Sequence, residues 1–253
     1  MFKGLIAVAA LFASTADSTV GLADLDAAAA RHRAQKVDMF SKPMPDALIA
    51  GRSFKIKLQV ARTHTGGDLA SDGVSGLWEY DPARQVLILD ARQLMSSALR
   101  TALSPQLPGG FDGFYARYGV LAGKSYIGEN DFGARAMIHK YTVTALVLAY
   151  PRADYRDNEG MPPFRDELGF RFHKELPLEG DKARLVTAQL SLVAEGKIVA
   201  FPNGANVECG TLEGEASMAS GMEVSRKYCA VAAKFDRVSF QDGSGNVLTE
   251  WTR

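Results

Sequence analysis

The sequence predicts a mostly β fold, either an antiparallel β-sandwich or an open barrel, with α+β as the wider class. Three observations favour this class. Several segments alternate apolar and polar residues with the period of two that strands show. Turn-forming residues separate these segments, and the regular strand–helix alternation of parallel α/β sheets is missing. One N-terminal helix and one short internal helix complete the prediction.

The two helices are predicted from apolar residues that recur three and four positions apart. Residues 22–40 form the N-terminal helix, where a run of alanines adds helix propensity. Residues 92–103 form the short internal helix. The predicted organisation is therefore a signal peptide, then helix and connector, then a single β-rich domain, at residues 1–16, 17–52 and 53–253.

The strand predictions begin at residues 53–60, which alternate strictly between apolar and polar side chains. Hairpins are expected at 77–89, around Asp81–Arg84, and at 237–251, around Asp242–Asn246. Residues 151–167, rich in proline and charge, are expected to be an exposed loop. Further strands are expected at 133–139, 142–149, 168–174 and 184–193, the last turning back at Glu195–Gly196.

The first residues have the three-part pattern of a cleavable secretory signal peptide. Lys3 supplies a positive charge, Leu5–Ala13 is apolar, and small residues follow. Cleavage is expected after Ala16, with Ala23 as the alternative. The apolar run is too short to span a bilayer, which requires about 20 apolar residues. The pattern predicts a periplasmic or secreted protein.

Composition limits the classes of partner that are expected, and the cysteine content predicts a disulfide. The 29 basic and 29 acidic residues cancel, so no excess charge favours nucleic acid. After the signal peptide no apolar run is long enough for a transmembrane segment. The two cysteines, Cys209 and Cys229, are expected to form a disulfide, because an exported protein meets an oxidising environment.

No cofactor and no metal site is expected. Gly119–Ser125 resembles a phosphate-binding loop, but its glycines have one residue too few between them. Asp242–Asn246 resembles a calcium loop but lacks the glycine and the closing acidic residue. The four histidines have no spacing that builds a zinc site.

Residues 109–133 combine aromatic side chains with many glycines. If exposed, Tyr115, Tyr118 and Tyr126 offer flat faces and hydroxyl groups to a ligand. The favoured interpretation is that these aromatic residues belong to the core, because large aromatic side chains are mostly buried. The remaining aromatic residues of the segment are Phe111, Phe114 and Phe132.

Two functions follow as hypotheses. The leading one is an exported, non-catalytic binding or assembly protein of the cell envelope, whose contact surface is residues 109–133. The alternative is a secreted hydrolase with acid and base groups on separate loops, namely His64, Asp68 and the carboxylates of residues 154–167.

Overall fold

The computed structural model describes most of the chain after the predicted signal peptide. The predicted internal helix at 92–103, and the predicted loop at 151–167 beyond Pro151, lie outside the described residues, as does the signal peptide itself. The described residues are 19–35, 44–62, 74–90, 111–151, 173–214, 216 and 221–252.

The protein is mostly β, as predicted, and the described residues form two helices and eleven strands. The helices are α1 (Leu22–Ala34) and α2 (Gly180–Thr187). The strands are β1 (Ser53–Arg62), β2 (Val74–Asp81), β3 (Val86–Asp90), β4 (Phe111–Ala122), β5 (Tyr126–Glu129), β6 (Arg135–Pro151), β7 (His173–Pro177), β8 (Ser191–Ile198), β9 (Val207–Leu212), β10 (Met222–Gln241) and β11 (Val247–Thr252).

The strands form one curled, open sheet in the order β4-β6-β10-β8-β1-β2-β3-β7, which confirms the open-barrel form of the prediction. Strand β5 extends the pairing along β6, while β9 and β11 pair with β10. The sheet is mixed rather than wholly antiparallel. Strands β1 and β2 run parallel, and so do β6 and β10 over their long common register.

Strand β6 is buried on both faces where it pairs with β10. Leu146 and Leu148 point to the main core, on what we call the inner face of the sheet. Val147 and Ala149 point to a second apolar cluster, on what we call the outer face. Burial on both faces is typical of parallel strands. The two strands predicted at 133–139 and 142–149 are this single strand.

Helix α1 packs on the inner face against β9, β10 and β1. Its Leu25 and Ala28 side chains are fully buried there. The helix ends at Ala34, earlier than predicted, because Gln35 is extended and its N–H donates back to the carbonyls of Arg31 and His32.

Val20 precedes α1 and belongs to the core. Its side chain is fully buried, and its backbone pairs with β1. The Val20 N–H donates to the Ser53 carbonyl at 2.8 Å, and the Lys55 N–H donates to the Val20 carbonyl at 2.9 Å. Cleavage after Ala23 would therefore remove a residue, Val20, that contributes to the fold.

We expect a chain that begins at Asp24 to be about 2 kcal/mol less stable to unfolding than one that begins at Asp17. It loses the buried Val20 side chain, whose burial contributes about this much, together with the pairing to β1. Urea unfolding measures the difference. A chain that begins at Thr19 is the matched control and should keep the stability of the longer chain. Equal stability of all three would contradict the role given to Val20.

The strand predicted at 184–193 is wrong in its first half. Residues 180–187 form α2, which buries Ala183, and the strand that follows is β8. Ion pairs three residues apart favour the helix, between Glu179 and Lys182 and between Asp181 and Arg184. The predicted turn at Glu195–Gly196 is also wrong, since β8 continues through both residues.

Both predicted hairpins form, and an aspartate organises each turn. Between β2 and β3, Asp81 Oδ1 accepts hydrogen bonds from the backbone of Ala83 at 2.9 Å and Arg84 at 3.1 Å. Between β10 and β11, Asp242 accepts bonds from Ser244 and Asn246. The bonds from Asn246 are the main reason that the pKa of Asp242 lies below its ordinary value. These carboxylates act as turn acceptors.

Candidate functional site

Phe132 and Ile127, the two most exposed large apolar side chains of the described sheet and its turns, lie at the end of one long hairpin. Strands β4 and β5 follow each other along the same side of β6 and both pair with it in antiparallel fashion. The Gly123 N–H continues the ladder between them by donating to the Lys140 carbonyl at 2.8 Å. We call residues 126–138, at the end of this ladder, the hairpin arm.

The turn of the hairpin arm is built around Asn130. Its Oδ1 accepts hydrogen bonds from the backbone N–H of Phe132 at 3.1 Å and of Ala134 at 2.9 Å. Gly133 adopts a positive φ of 76°, which glycine tolerates best. Because the turn is held through the Asn130 side chain, Phe132 stands at its end with 95% of its surface exposed.

Three neighbouring strands near the hairpin arm carry exposed apolar side chains on the outer face. Ile127 of β5 is directly opposite Met137 of β6, so their side chains share the outer face. Met222 of β10 is paired with His139, two residues after Met137, and lies on the same face. Ile127, Met137 and Met222 are 65%, 52% and 39% exposed. We call Ile127, Phe132, Met137 and Met222 the apolar tip.

The apolar tip adjoins an open edge of the sheet. Strands β4 and β5 pair with β6 on one side, and no strand within the described ranges pairs with their other side. A strand edge of this kind presents unpaired N–H and C=O groups on which another strand can add.

Two ion pairs lie on or beside the hairpin arm. Glu129 and Arg135, opposite each other, form an ion pair at 2.7 Å. Glu223 of β10 accepts a hydrogen bond from Tyr126 at 2.7 Å and forms an ion pair with Lys140 at 3.0 Å. Asp131 forms no ion pair within the described residues, so Glu129, Asp131 and Arg135 leave the arm with one net negative charge.

The Tyr126–Glu223–Lys140 cluster perturbs all three groups. The bonds from Tyr126 and then Lys140 hold the pKa of Glu223 below its ordinary value. Hydrogen bonding to Glu223 also raises the pKa of Tyr126 and of Lys140, and the Lys140 ammonium lies 5.0 Å from the centre of the Tyr126 ring. At neutral pH the Glu223 carboxylate stays ionised and the Tyr126 phenol stays protonated. Their hydrogen bond therefore links β5 to β10 across β6.

The structure brings together two of the three tyrosines predicted as ligand contacts. The rings of Tyr115 and Tyr118 meet edge to face at 5.5 Å between centres, and both are half-buried against the outer cluster. Tyr126 is not with them. It pairs with Ile138, whereas Tyr118 pairs with Ala145, and positions an odd number apart on a strand point to opposite faces. Tyr126 is therefore on the inner face.

Some aromatic side chains of the segment 109–133 are packed against the sheet, and others are exposed. Tyr115 and Tyr118 pack against the sheet, as the core interpretation expected, whereas Tyr126 and Phe132 are exposed. The side chains of Phe111 and Phe114 lie outside the described residues. The residues missed from sequence were Ile127, Met137 and Met222, which become neighbours only through pairing of β5, β6 and β10.

Ser125 and His139 form a serine–histidine pair beside the arm, with Ser125 Oγ 2.9 Å from His139 Nδ1. Both are exposed. Within the described part of the chain, no carboxylate bonds to the His139 ring as the third member of a catalytic triad does. His64, Asp68 and residues 154–167, which the hydrolase hypothesis uses, lie outside the described residues, so that hypothesis stays a prediction.

The predicted disulfide between Cys209 and Cys229 is present. It joins two residues that are direct partners in the β9–β10 pair. Both sulfur atoms lie against the α1 backbone, 3.8 Å and 3.9 Å from the Ala29 carbonyl oxygen. The bond thus ties β9 to β10 beneath the helix.

In the part of the chain that the structure describes, no helix is long and apolar enough to cross a membrane. Comparisons with protein-family models, with curated proteins and with solved structures found no match.

Proposed function

We propose that the protein is an exported, non-catalytic binding or assembly protein of the cell envelope, and that the apolar tip is its contact surface. The observation that carries this proposal is the exposure of Phe132 at the turn of the same hairpin that exposes Ile127 and Met137. Leaving apolar surface in water costs about 25 cal/mol per Å². A contiguous apolar patch with a polar surround is typical of a surface that a partner covers.

The chemistry of the arm indicates what that partner is. Glu129 is paired with Arg135, and Glu223 with Lys140. Asp131 is the one charge of the arm without an ion pair in the described residues, so a strongly charged partner gains little from the arm. The open edge of β5 offers backbone hydrogen bonds, and the outer face beside it offers apolar side chains. We infer an uncharged, apolar protein segment that adds to β5 as a strand and covers the apolar tip.

Export is supported by the signal-peptide pattern of residues 1–16 and is compatible with the disulfide. Val20 supports cleavage after Ala16, since cleavage after Ala23 removes a buried residue that pairs with β1. The exported protein is accordingly expected to begin at Asp17, which its intact mass measures.

A photo-crosslinking amino acid at position 132 tests the contact surface in the envelope of the producing cell. We expect it to form a crosslinked product with one protein, because Phe132 is the most exposed residue of the proposed contact. The same amino acid at position 185 is the matched control. Leu185 is 78% exposed on α2, away from the arm, and should form no such product.

Affinity measurements with the purified partner then test the chemistry of the contact. We expect Ile127→Glu and Phe132→Glu to weaken its affinity at least about tenfold, which is about 1.4 kcal/mol, while Leu185→Glu leaves it unchanged. Affinity should vary little between about 0.05 and about 0.5 M salt, because the contact is uncharged. A steep salt dependence, an equal effect of Leu185→Glu, or sedimentation of the protein alone as a dimer through the tip would overturn the proposal.

A further inference from the structure

A small cavity opens where α1 ends above the β9–β10 pair. Its volume is about 340 Å³, within the range of sites for small molecules. Its lining includes His32 and Arg33 of α1, Thr211 of β9 and Lys227 of β10, with Cys209 of the disulfide at its inner end. None of the described residues that line it is acidic.

The fold itself assembles these side chains. Cys209 pairs with Cys229, and two residues further along Thr211 pairs with Lys227. Positions two apart point to the same face, so Thr211 and Lys227 share the face on which α1 packs. Because α1 covers the disulfide and then ends at Ala34, Thr211 and Lys227 lie beyond its last turn.

The positive charges in this cavity have no close counter-ion. Within the described residues, neither Arg33 nor Lys227 forms an ion pair. Arg33 interacts electrostatically with Asp26, whose carboxylate is ion-paired with Arg117. Cations in the last turn of a helix offset its C-terminal dipole, which accounts for Arg33. That explanation does not extend to Lys227, which comes from β10.

We propose that this cavity is a binding site for a compact oxyanion group, the phosphate or carboxylate of a small molecule. Arg33 of α1 and Lys227 of β10 line the cavity with positive charge, and Thr211, directly opposite Lys227, contributes a hydroxyl donor. Charge-assisted hydrogen bonds of this type are about twice as strong as neutral ones. The site is separate from the apolar tip and does not depend on the proposed function.

Calorimetric titration of the full mature chain with inorganic phosphate and, separately, with succinate tests the site at constant pH and ionic strength. We expect at least one of the two to bind. Binding of phosphate alone identifies a phosphorylated ligand, binding of succinate alone a carboxylate ligand, and binding of both a general oxyanion site. Failure of both to bind at millimolar concentration would overturn the proposal.

Two variants and a control locate the binding. Arg33→Gln and Lys227→Gln should each weaken the titrated anion at least about tenfold, and added salt should weaken it further. Arg184→Gln removes an exposed arginine on α2 and should have no effect. Arg33 is at the exposed end of α1, so its variant is expected to stay folded, which circular dichroism checks. Unchanged affinity in both site variants would place the anion elsewhere and reject the site.

Discussion

Gly196→Ala is expected to lower the free energy of unfolding by about 3 kcal/mol. Gly196 lies in β8 between Phe54 of β1 and Phe235 of β10. A Cβ atom there would stand 2.1 Å from the Lys234 carbonyl oxygen and 2.9 Å from the Phe235 Cα and the Phe54 ring. Two of these three atoms are backbone and cannot rotate away. Strand β10 or β8 would have to shift in the middle of the sheet.

Urea unfolding of the variant measures this loss, with Gly180→Ala as the matched control. A Cβ at Gly180 meets only Tyr80, at the ordinary contact distance of 3.6 Å. Alanine favours the helix there, so we expect that variant to be unchanged or stabilised by up to about 1 kcal/mol. Failure of Gly196→Ala to fold while Gly180→Ala folds agrees with the expectation. A Gly196→Ala protein within about 1 kcal/mol of the unsubstituted chain would refute it.

The requirement for Gly196 also shows why the sequence suggested a turn. Glycine after Glu195 is typical of both a turn and a bulged strand that another backbone approaches closely. The structure has the second. The register between β8 and β10 shifts between Phe235 and Arg237, and Gly196 is opposite that bulge. Local sequence cannot distinguish the two, because the approaching backbone is 38 residues away in the chain.

Elements whose information is local were predicted well. Strand β1 has one wet and one buried face, so its alternation was visible, and both hairpins carry their turn residues between their strands. The parallel β6–β10 pair was missed because its partners are distant. The continuous apolar runs 145–150 and 228–233 are its signal, since strands buried on both faces do not alternate.

The candidate site was predicted only in outline. The sequence pointed to 109–133, and Phe132 within that segment is the most exposed member of the apolar tip. Its tyrosines were expected to act together, but β4–β5 has one extra residue relative to β6 between Ala122 and Tyr126. That extra residue is a bulge, and such register shifts follow from pairing rather than from spacing along the chain.

Replacing Cys209 and Cys229 together with alanine is expected to lower the free energy of unfolding by about 3 kcal/mol. The bond closes a loop over a sequence separation of 20 residues, and such a closure restricts the unfolded chain by about this amount in the chain-entropy account. Urea unfolding with and without reductant measures it. The slope with denaturant should also rise, because an unfolded chain without the cross-link exposes more surface.

The double variant also serves as the control for the reductant. Reductant should shift the unfolding midpoint of the native protein to that of the variant and should leave the variant unchanged. Two titratable thiols in the native protein without reductant, or a native midpoint that reductant does not move, would contradict the bond.

The loss of stability in the double variant could originate in the unfolded chain or in local opening of β9. Hydrogen exchange distinguishes these two origins. Cys209 and Cys229 are already direct partners in paired strands beneath α1, so the bond adds little constraint to the folded sheet. Its effect should therefore come from the unfolded state, and hydrogen exchange should accelerate equally in the buried strands β1, β8 and β10. Acceleration confined to β9, which within the described strands pairs only with β10, would instead show that the bond prevents local opening of that edge. We expect the uniform pattern, because a cross-link between neighbours that hydrogen bonding already aligns acts mainly on the chain that has lost those bonds.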